Sequence, residues 1–181
     1  KIFCNRSKIQ FLMNIDVTET FEATYEGFKA VKNQDLIDKN KHVEVPPIYK
    51  YRQIVSMGGS RSSKSYSILQ LLLLEMVNRK NIKITVWRNM KNVCRTSVME
   101  DFQKIIMFDY KIFKDIKENK QAGSFTYVPT KSKIVFEGAD SVGKVLGGTQ
   151  DISFFNEVTE FSKEVYLQIT QRTADRVFCD Y

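Results

Sequence analysis

The residues whose types and spacing are best suited to chemistry lie between Met57 and Ser65, reading Met-Gly-Gly-Ser-Arg-Ser-Ser-Lys-Ser. A loop of the form G-x-x-x-x-G-K-[ST] curls its backbone N–H groups round phosphates, reaches the terminal phosphates with its Lys and offers its hydroxyl to Mg²⁺. Here Gly58 opens the pattern, Lys64 and Ser65 close it, and Ser63 stands where the second Gly is expected. Gly58, Gly59, Ser60, Arg61, Ser62, Ser63, Lys64 and Ser65 are therefore the expected phosphate-binding set. A guanidinium at Arg61 could reach a γ-phosphate and offset charge developing on it; the alternative is a solvent-facing loop residue.

A second constellation is Ile152-Ser153-Phe154-Phe155-Asn156-Glu157, an apolar run ending in a polar pair. Nucleotide hydrolysis needs a metal-facing group and a group that orients water, and in ATPases with a phosphate loop both stand at such a strand end. Glu157 is placed to polarise the water, and Asn156 takes the position where an Asp would face the metal. Asn keeps an acceptor oxygen but loses the charge, so Ser65 and the phosphates would carry more of the Mg²⁺ contact. Asp151 is the rival acid, but it starts the strand, roughly 13 Å from the ligand end. Tyr51 and Gln53, just upstream of the loop, could stack on a purine ring and bond its edge, or could pack at a sheet edge. Arg172 is a weaker candidate for an arginine acting on a neighbouring subunit.

The elements that must hold these groups can be read from periodicity. Gln53–Met57 is a short β-type run and Ser65–Val77 is helical in pattern, giving the strand, loop and helix order that phosphate binding requires. Asn81–Arg88 is β-branched and aromatic, a strand that follows the helix directly, so a parallel crossover unit is expected. Ser97–Met107 places Val98, Phe102, Ile105 and Ile106 on one helical face. Ser124–Val128 and Lys133–Phe136 form a hairpin pattern, Lys111–Lys120 reads as a charged surface segment, and Glu137–Gln150 reads as a glycine-rich loop. Phe161–Ile169 is a helix and Arg176–Tyr181 a further strand. Upstream, Ile9–Val17 is a strand pattern, Thr20–Lys32 an amphipathic helix, and Asn33–Val45 a polar connector before Pro46-Pro47. The expectation is a three-layer α/β fold of the P-loop NTPase type, with a mainly parallel central sheet of the additional-strand, RecA-like kind.

A chain of 181 residues with 43% hydrophobic content can bury one core, so a single domain is expected over 1–181, with 1–48 as a strand and helix lead-in. The formal net charge of +7 makes an acidic partner such as nucleic acid plausible. Arg79, Lys80, Lys83, Arg88, Lys91 and Arg95 fall in one stretch without an acid, readable as a solvated face or as a backbone-contacting surface. Cys4, Cys94 and Cys179 are widely spaced and His42 is the one histidine, which argues against a zinc site or disulfide framework and for a reducing compartment. The longest apolar run, Ile68–Val77, is too short to span a bilayer. The first residue is Lys1 rather than Met, so a fragment is expected.

Taken together, the tyrosine-rich lead, Gly-Gly-Ser-Arg-Ser-Ser-Lys-Ser, the strand ending at Val86-Trp87-Arg88 and the run Phe154 to Phe161 resemble the large terminase subunit of tailed bacteriophages. The resemblance implies an N-terminal ATPase domain, hydrolysing ATP with Mg²⁺ to drive double-stranded DNA into a procapsid. Lys64 and Ser65 would hold phosphate and Mg²⁺, Arg61 would be the loop arginine and Glu157 the catalytic carboxylate. The family further implies a ring, of five subunits, on the portal protein, a small terminase subunit as partner, no membrane, and action in the host cell cytoplasm. Its nuclease domain is expected to lie outside this chain, which would be truncated at its C-terminus. The competing readings are a helicase-like or other P-loop ATPase, and a nucleotide-binding remnant without turnover.

Overall fold

The computed structural model describes residues 52–57, 63–107, 110–139 and 148–181, with the backbone alone at 30–31, 48–49 and 110–111. Two short strands, β1 (Ala30–Val31) and β2 (Ile48–Tyr49), pair antiparallel. Ala30 and Val31 are thus extended, where the amphipathic pattern predicts the end of a helix. Strand pairing can override a helical pattern at its margin. The strand expected over 9–17, the rest of that helix and the polar connector lie outside the described residues.

The main sheet has seven strands: β3 (Gln53–Ser56), β4 (Lys83–Arg88), β5 (Ile116–Asn119), β6 (Ser124–Tyr127), β7 (Ser132–Gly138), β8 (Gln150–Phe155) and β9 (Thr173–Asp180). Their spatial order is β3-β9-β8-β4-β7-β6-β5. The first five run parallel, and β6 and β5 complete an antiparallel edge. The expected α/β architecture is present, with β9 as an additional strand between β3 and β8. The helix that follows β3, α1 (Lys64–Asn78), leads to β4, but β9 and β8 stand between β3 and β4. The crossover therefore spans two strands rather than joining neighbours.

Alternation along the central strands sorts their side chains to two cores, as period-2 geometry requires. Ile84, Val86, Phe136, Phe154 and Phe178 pack with α1 and with α3 (Val98–Met107). In that core Phe102 meets Phe125 and Phe136 at ring-centroid distances of 5.3 and 5.6 Å. Trp87, Phe155, Val177 and Cys179 point the other way and pack against Val165 and Ile169 of α5 (Lys163–Gln171). Helices on both faces make the three layers.

Helix α1 carries buried residues on every side, from Ser67 through Leu73 and again at Met76. An all-round apolar helix belongs inside a domain, and here it fixes the start of the helix rigidly against the sheet. It ends where Arg79 turns extended.

Two segments read as surface in the sequence form further elements. Overlapping the end of the basic stretch Arg79–Arg95 is α2 (Lys91–Thr96), whose buried residue is Cys94. One apolar contact over six residues leaves no periodicity to detect. Over 110–119 lie α4 (Tyr110–Phe113) and β5, the edge strand beside β6. Charged residues are what an exposed edge carries, so a charged segment and an edge strand look alike in sequence. Among the described residues, no helix is long and apolar enough to cross a membrane.

Candidate functional site

Because β3, β9, β8, β4 and β7 are parallel, their C-terminal ends share one edge of the sheet. Open α/β sheets bind ligands at this edge. Ser56 is level with Asp180, Phe155 with Cys179, and Trp87 with Phe155. The residues following these positions converge on the first turn of α1.

Of the phosphate-loop residues, Ser63, Lys64 and Ser65 are described; Gly58, Gly59, Ser60, Arg61 and Ser62 lie outside the described residues, as does Tyr51. Ser63, at the glycine-expected position, has φ 59° and ψ 17°, the left-handed conformation that glycine adopts without steric cost. Its carbonyl accepts the Ser67 N–H at 2.9 Å and the Ser67 hydroxyl at 2.9 Å, bonds that hold the turn with a Cβ present. Lys64 is the first residue of α1 and Ser65 the second.

The Ser65 hydroxyl donates to Oδ2 of Asp180 at 2.5 Å and accepts from Nδ2 of Asn156 at 3.0 Å. The same Asn156 amide lies 3.1 and 3.0 Å from the two oxygens of Asp180, and the main-chain N–H of Glu157 donates to Oδ1 at 2.7 Å. Asp180 is 1% exposed and Asn156 3%. The other end of Asn156, Oδ1, accepts from Nη1 of Arg88 at 2.5 Å, while Nη2 of Arg88 bonds Glu160 at 3.1 Å. A guanidinium on one side and a carboxylate on the other leave Asn156 one satisfiable orientation, with its NH₂ facing Ser65 and Asp180. The acceptor oxygen considered for Mg²⁺ contact at Asn156 is thus directed at Arg88.

Glu157 follows with φ 58° and ψ 64°, again left-handed, and opens the 3₁₀ turn Val158–Glu160. Phe161 closes that turn by packing edge-on against Phe155, with centroids 5.2 Å apart and rings at 87°. The non-glycine αL conformation is held from both sides, by Asp180 at its N–H and by Glu160, whose N–H donates to the Glu157 carbonyl at 3.0 Å.

The remaining predicted residues fall elsewhere. Gln53 begins β3, exposed and roughly 10 Å before the strand's loop end. Arg172 caps α5 and bonds Gln168 through its carbonyl at 3.2 Å and its side-chain oxygen at 2.6 Å. It stands just before β9, at the opposite end from Asp180, roughly 26 Å away at about 3.3 Å per residue. Asp151 accepts from the Lys83 N–H at 2.7 Å, also at the far edge. The basic stretch is largely engaged within the chain. Arg79 pairs with Glu75 at 3.2 Å and with Asp175, Arg88 with Glu160 at 3.1 Å, Lys91 with Glu137 at 2.7 Å, and Arg95 donates to the Gln121 carbonyl at 2.8 Å.

Asp180 is the residue that sequence reasoning missed. A signal existed: Val177-Phe178-Cys179-Asp180 is a second apolar run ending in an acid. Nothing local distinguishes it from any strand end, and only its pairing beside β8 brings the carboxylate to Ser65.

The donor set suits a hard cation. Ser65 Oγ and the Asp180 carboxylate are oxygen ligands, and Mg²⁺ commonly takes one or two protein oxygens and completes its shell with phosphates and water. Among the described residues no three His, Cys, Asp or Glu side chains cluster, so the protein alone offers no full cage. The chemistry available is thus phosphate and cation binding at the start of α1, beside a carboxylate, Glu157, that could act on water.

A family model described as phage terminase large subunit matches residues 50–177. Solved structures share the fold at low identity. The HK97 bacteriophage large terminase aligns with a TM-score of 0.63 and 11% identity over 71% of this chain and 29% of that one. The large terminase ATPase domain of a Thermus phage aligns at 0.58 and 12%, over 96% of this chain and 68% of that one. The large terminase of a thermophilic bacteriophage, solved in complex with ADP, aligns at 0.60 and 14%, over 71% of this chain and 33% of that one. The chain therefore spans about a third of the whole large terminases it matches. No curated protein sequence matches it.

Proposed function

The chain belongs to the phage terminase large-subunit family, and from that premise we propose that it is the ATP-hydrolysing part of a motor that moves double-stranded DNA. The supporting observation is the meeting of two motifs 91 residues apart: the Ser65 hydroxyl lies 3.0 Å from Asn156, whose chain neighbour is Glu157. In this reading Gly58 to Ser65 wrap the phosphates and Lys64 neutralises them, and Tyr51 is the proposed group for stacking on the base, with Gln53 left out of the phosphate site by its position at the start of β3. Ser65 contacts Mg²⁺, which when bound shields the phosphate charge. Glu157 orients the attacking water, and Arg61 offsets charge at the γ-phosphate.

The wider assembly follows from the same family membership. Double-stranded DNA, the portal protein, a small terminase subunit and further copies of the chain in a ring are the proposed partners, in the host cell cytoplasm. Arg172, on the opposite sheet edge, is the proposed arginine acting on a neighbouring copy's site. With Arg79, Arg88, Lys91 and Arg95 bonded within the chain, the proposed DNA-facing charge is assigned mainly to other basic residues.

The test is ATP turnover by the full-length protein. Lys64→Ala and Glu157→Ala are both expected to abolish it; unchanged turnover in both would sink the proposal. Tight nucleotide binding without turnover in the unsubstituted protein would assign it instead as a nucleotide-binding remnant.

A further inference from the structure

We infer that Asp180, at the end of β9, is the acidic cation-facing group of the nucleotide site, standing in for the carboxylate that the Asn156 position lacks. The inference rests on the nucleotide-site reading above and goes beyond it, because it assigns the charge to a different strand.

Three observations carry it. First, Asp180 rather than Asn156 presents oxygen to Ser65, with Oδ2 at 2.5 Å from the hydroxyl. Second, the carboxylate is 1% exposed and its partners among the described residues are neutral donors: the Ser65 hydroxyl, the Asn156 amide and the Glu157 N–H. Neutral donors hold a buried carboxylate in place without cancelling its charge, so a cation arriving with a ligand finds a counter-charge there. Third, Asn156 is turned so that its NH₂ supports that carboxylate while its oxygen is taken by Arg88. The charge expected at the end of β8 has in effect moved one strand along. β8 and β9 are parallel neighbours with Phe155 level with Cys179, so the residues after them occupy one layer at the sheet edge. A side chain from either strand can therefore serve the same point in space.

The experiment is calorimetric titration with ATPγS, in Mg²⁺ and in EDTA, on the unsubstituted protein, Asp180→Asn, the exchange Asn156→Asp/Asp180→Asn, and Lys64→Ala. The unsubstituted protein is expected to bind at least about tenfold more tightly with Mg²⁺ than without. Asp180→Asn should lose that gain while keeping its affinity in EDTA, and the exchange variant should recover it. A full Mg²⁺ gain in Asp180→Asn, an equal loss of affinity with and without Mg²⁺, or no recovery on exchange overturns the inference. If Asp180→Asn does not keep the native circular dichroism, Asp180→Cys replaces it. Its weakened binding with Mg²⁺ should be restored by Cd²⁺, and equal binding with the two metals overturns the inference. Lys64→Ala separates the two levels. Should it bind nucleotide as the unsubstituted protein does, the site reading itself falls; should it lose binding while Asp180→Asn keeps the Mg²⁺ gain, the inference about Asp180 falls alone.

Discussion

The main-chain N–H of Glu157 donates to Oδ1 of Asp180 at 2.7 Å, tying the carboxylate expected to orient water to the end of the adjacent strand. Glu157 has φ 58°, and a non-glycine residue in that region costs about 1–3 kcal/mol, sustained here by surrounding bonds. The placement of the Glu157 side chain is thus secured through its backbone, by a residue 23 positions further along the chain.

That conformation separates stability from activity. Glu157→Gly removes the Cβ clash but adds unfolded-chain entropy, so stability should stay level or rise by up to about 1 kcal/mol while turnover is lost. Glu157→Val, β-branched in the same conformation, should lose about 1–2 kcal/mol. Urea midpoints for the two variants check the ordering.

Arg88 should resist conservative replacement. Its two terminal nitrogens serve two partners, Asn156 at 2.5 Å and Glu160 at 3.1 Å, a fork that a lysine ammonium cannot reproduce. Arg88→Lys and Arg88→Ala are both expected to cut ATP turnover by about 10- to 100-fold, as loss of supporting contacts around a metal site does. Nucleotide affinity should change much less. Steady-state turnover alongside calorimetric binding resolves this, and a lysine variant at full rate would contradict it.

At Gly138, the end of β7, a Cβ would stand 2.3 Å from the Lys91 nitrogen and 2.7 Å from its Cα. Those are backbone atoms at the start of α2, which cannot rotate aside. Gly138→Ala is therefore expected to destabilise by about 1–3 kcal/mol or more through overpacking. Thermal unfolding measures it, with Gly123→Ala as a comparison: the nearest atoms there, Arg95 Nε and the Phe136 carbonyl oxygen, are both 3.3 Å away, though φ 62° adds its own strain.

Cys94, fully buried against the Val86 strand, has its thiol pushed up to about 12, chiefly by desolvation, with Glu137 adding to the shift. The native thiol stays protonated at pH 8, so iodoacetamide should leave Cys94 unmodified until the chain is unfolded, as peptide mass mapping would report. In the unfolded chain the thiol ionises near an ordinary value of about 8.5, whereas the folded one keeps its proton to about 12. The folded state then holds more protons, and this contribution to stability is full below about 8.5 and falls as pH rises towards the folded value.

Much of the site could be read from local pattern. Lys64 and Ser65 could be placed at the start of a helix after a short strand, because a loop ending in Lys-Ser between β and α periodicities has a local signature. Glu157 at the end of an apolar strand was equally legible. Ser63 stands out by its type alone, a Ser where Gly is expected, and its φ of 59° is the backbone conformation that makes glycine the usual residue there. The pairing of Arg88, of Lys91 and of Arg79 with Asp175 has no local signal, since those acids come from elements distant in sequence, whereas Glu75 and Arg79 stand one helical turn apart. A charge run shows its composition but not its neighbours.

What the sequence by itself determined was the kind of the main core elements, α1, α3, α5 and strands β3, β4 and β6 to β9, because helical and strand periodicities are properties of adjacent residues. It also placed Lys64 and Ser65 at the start of α1 and Asn156-Glu157 at the end of β8. The tertiary structure decided the order of the strands, and with it the chemistry of the edge. Periodicity is the same whether β9 pairs beside β8 or at the far side of the sheet, so no local pattern could say that Asp180 would reach Ser65. Only the insertion of β9 between β3 and β8 brings the two within 2.5 Å, turns Asn156 towards Arg88, and holds Glu157 by its backbone.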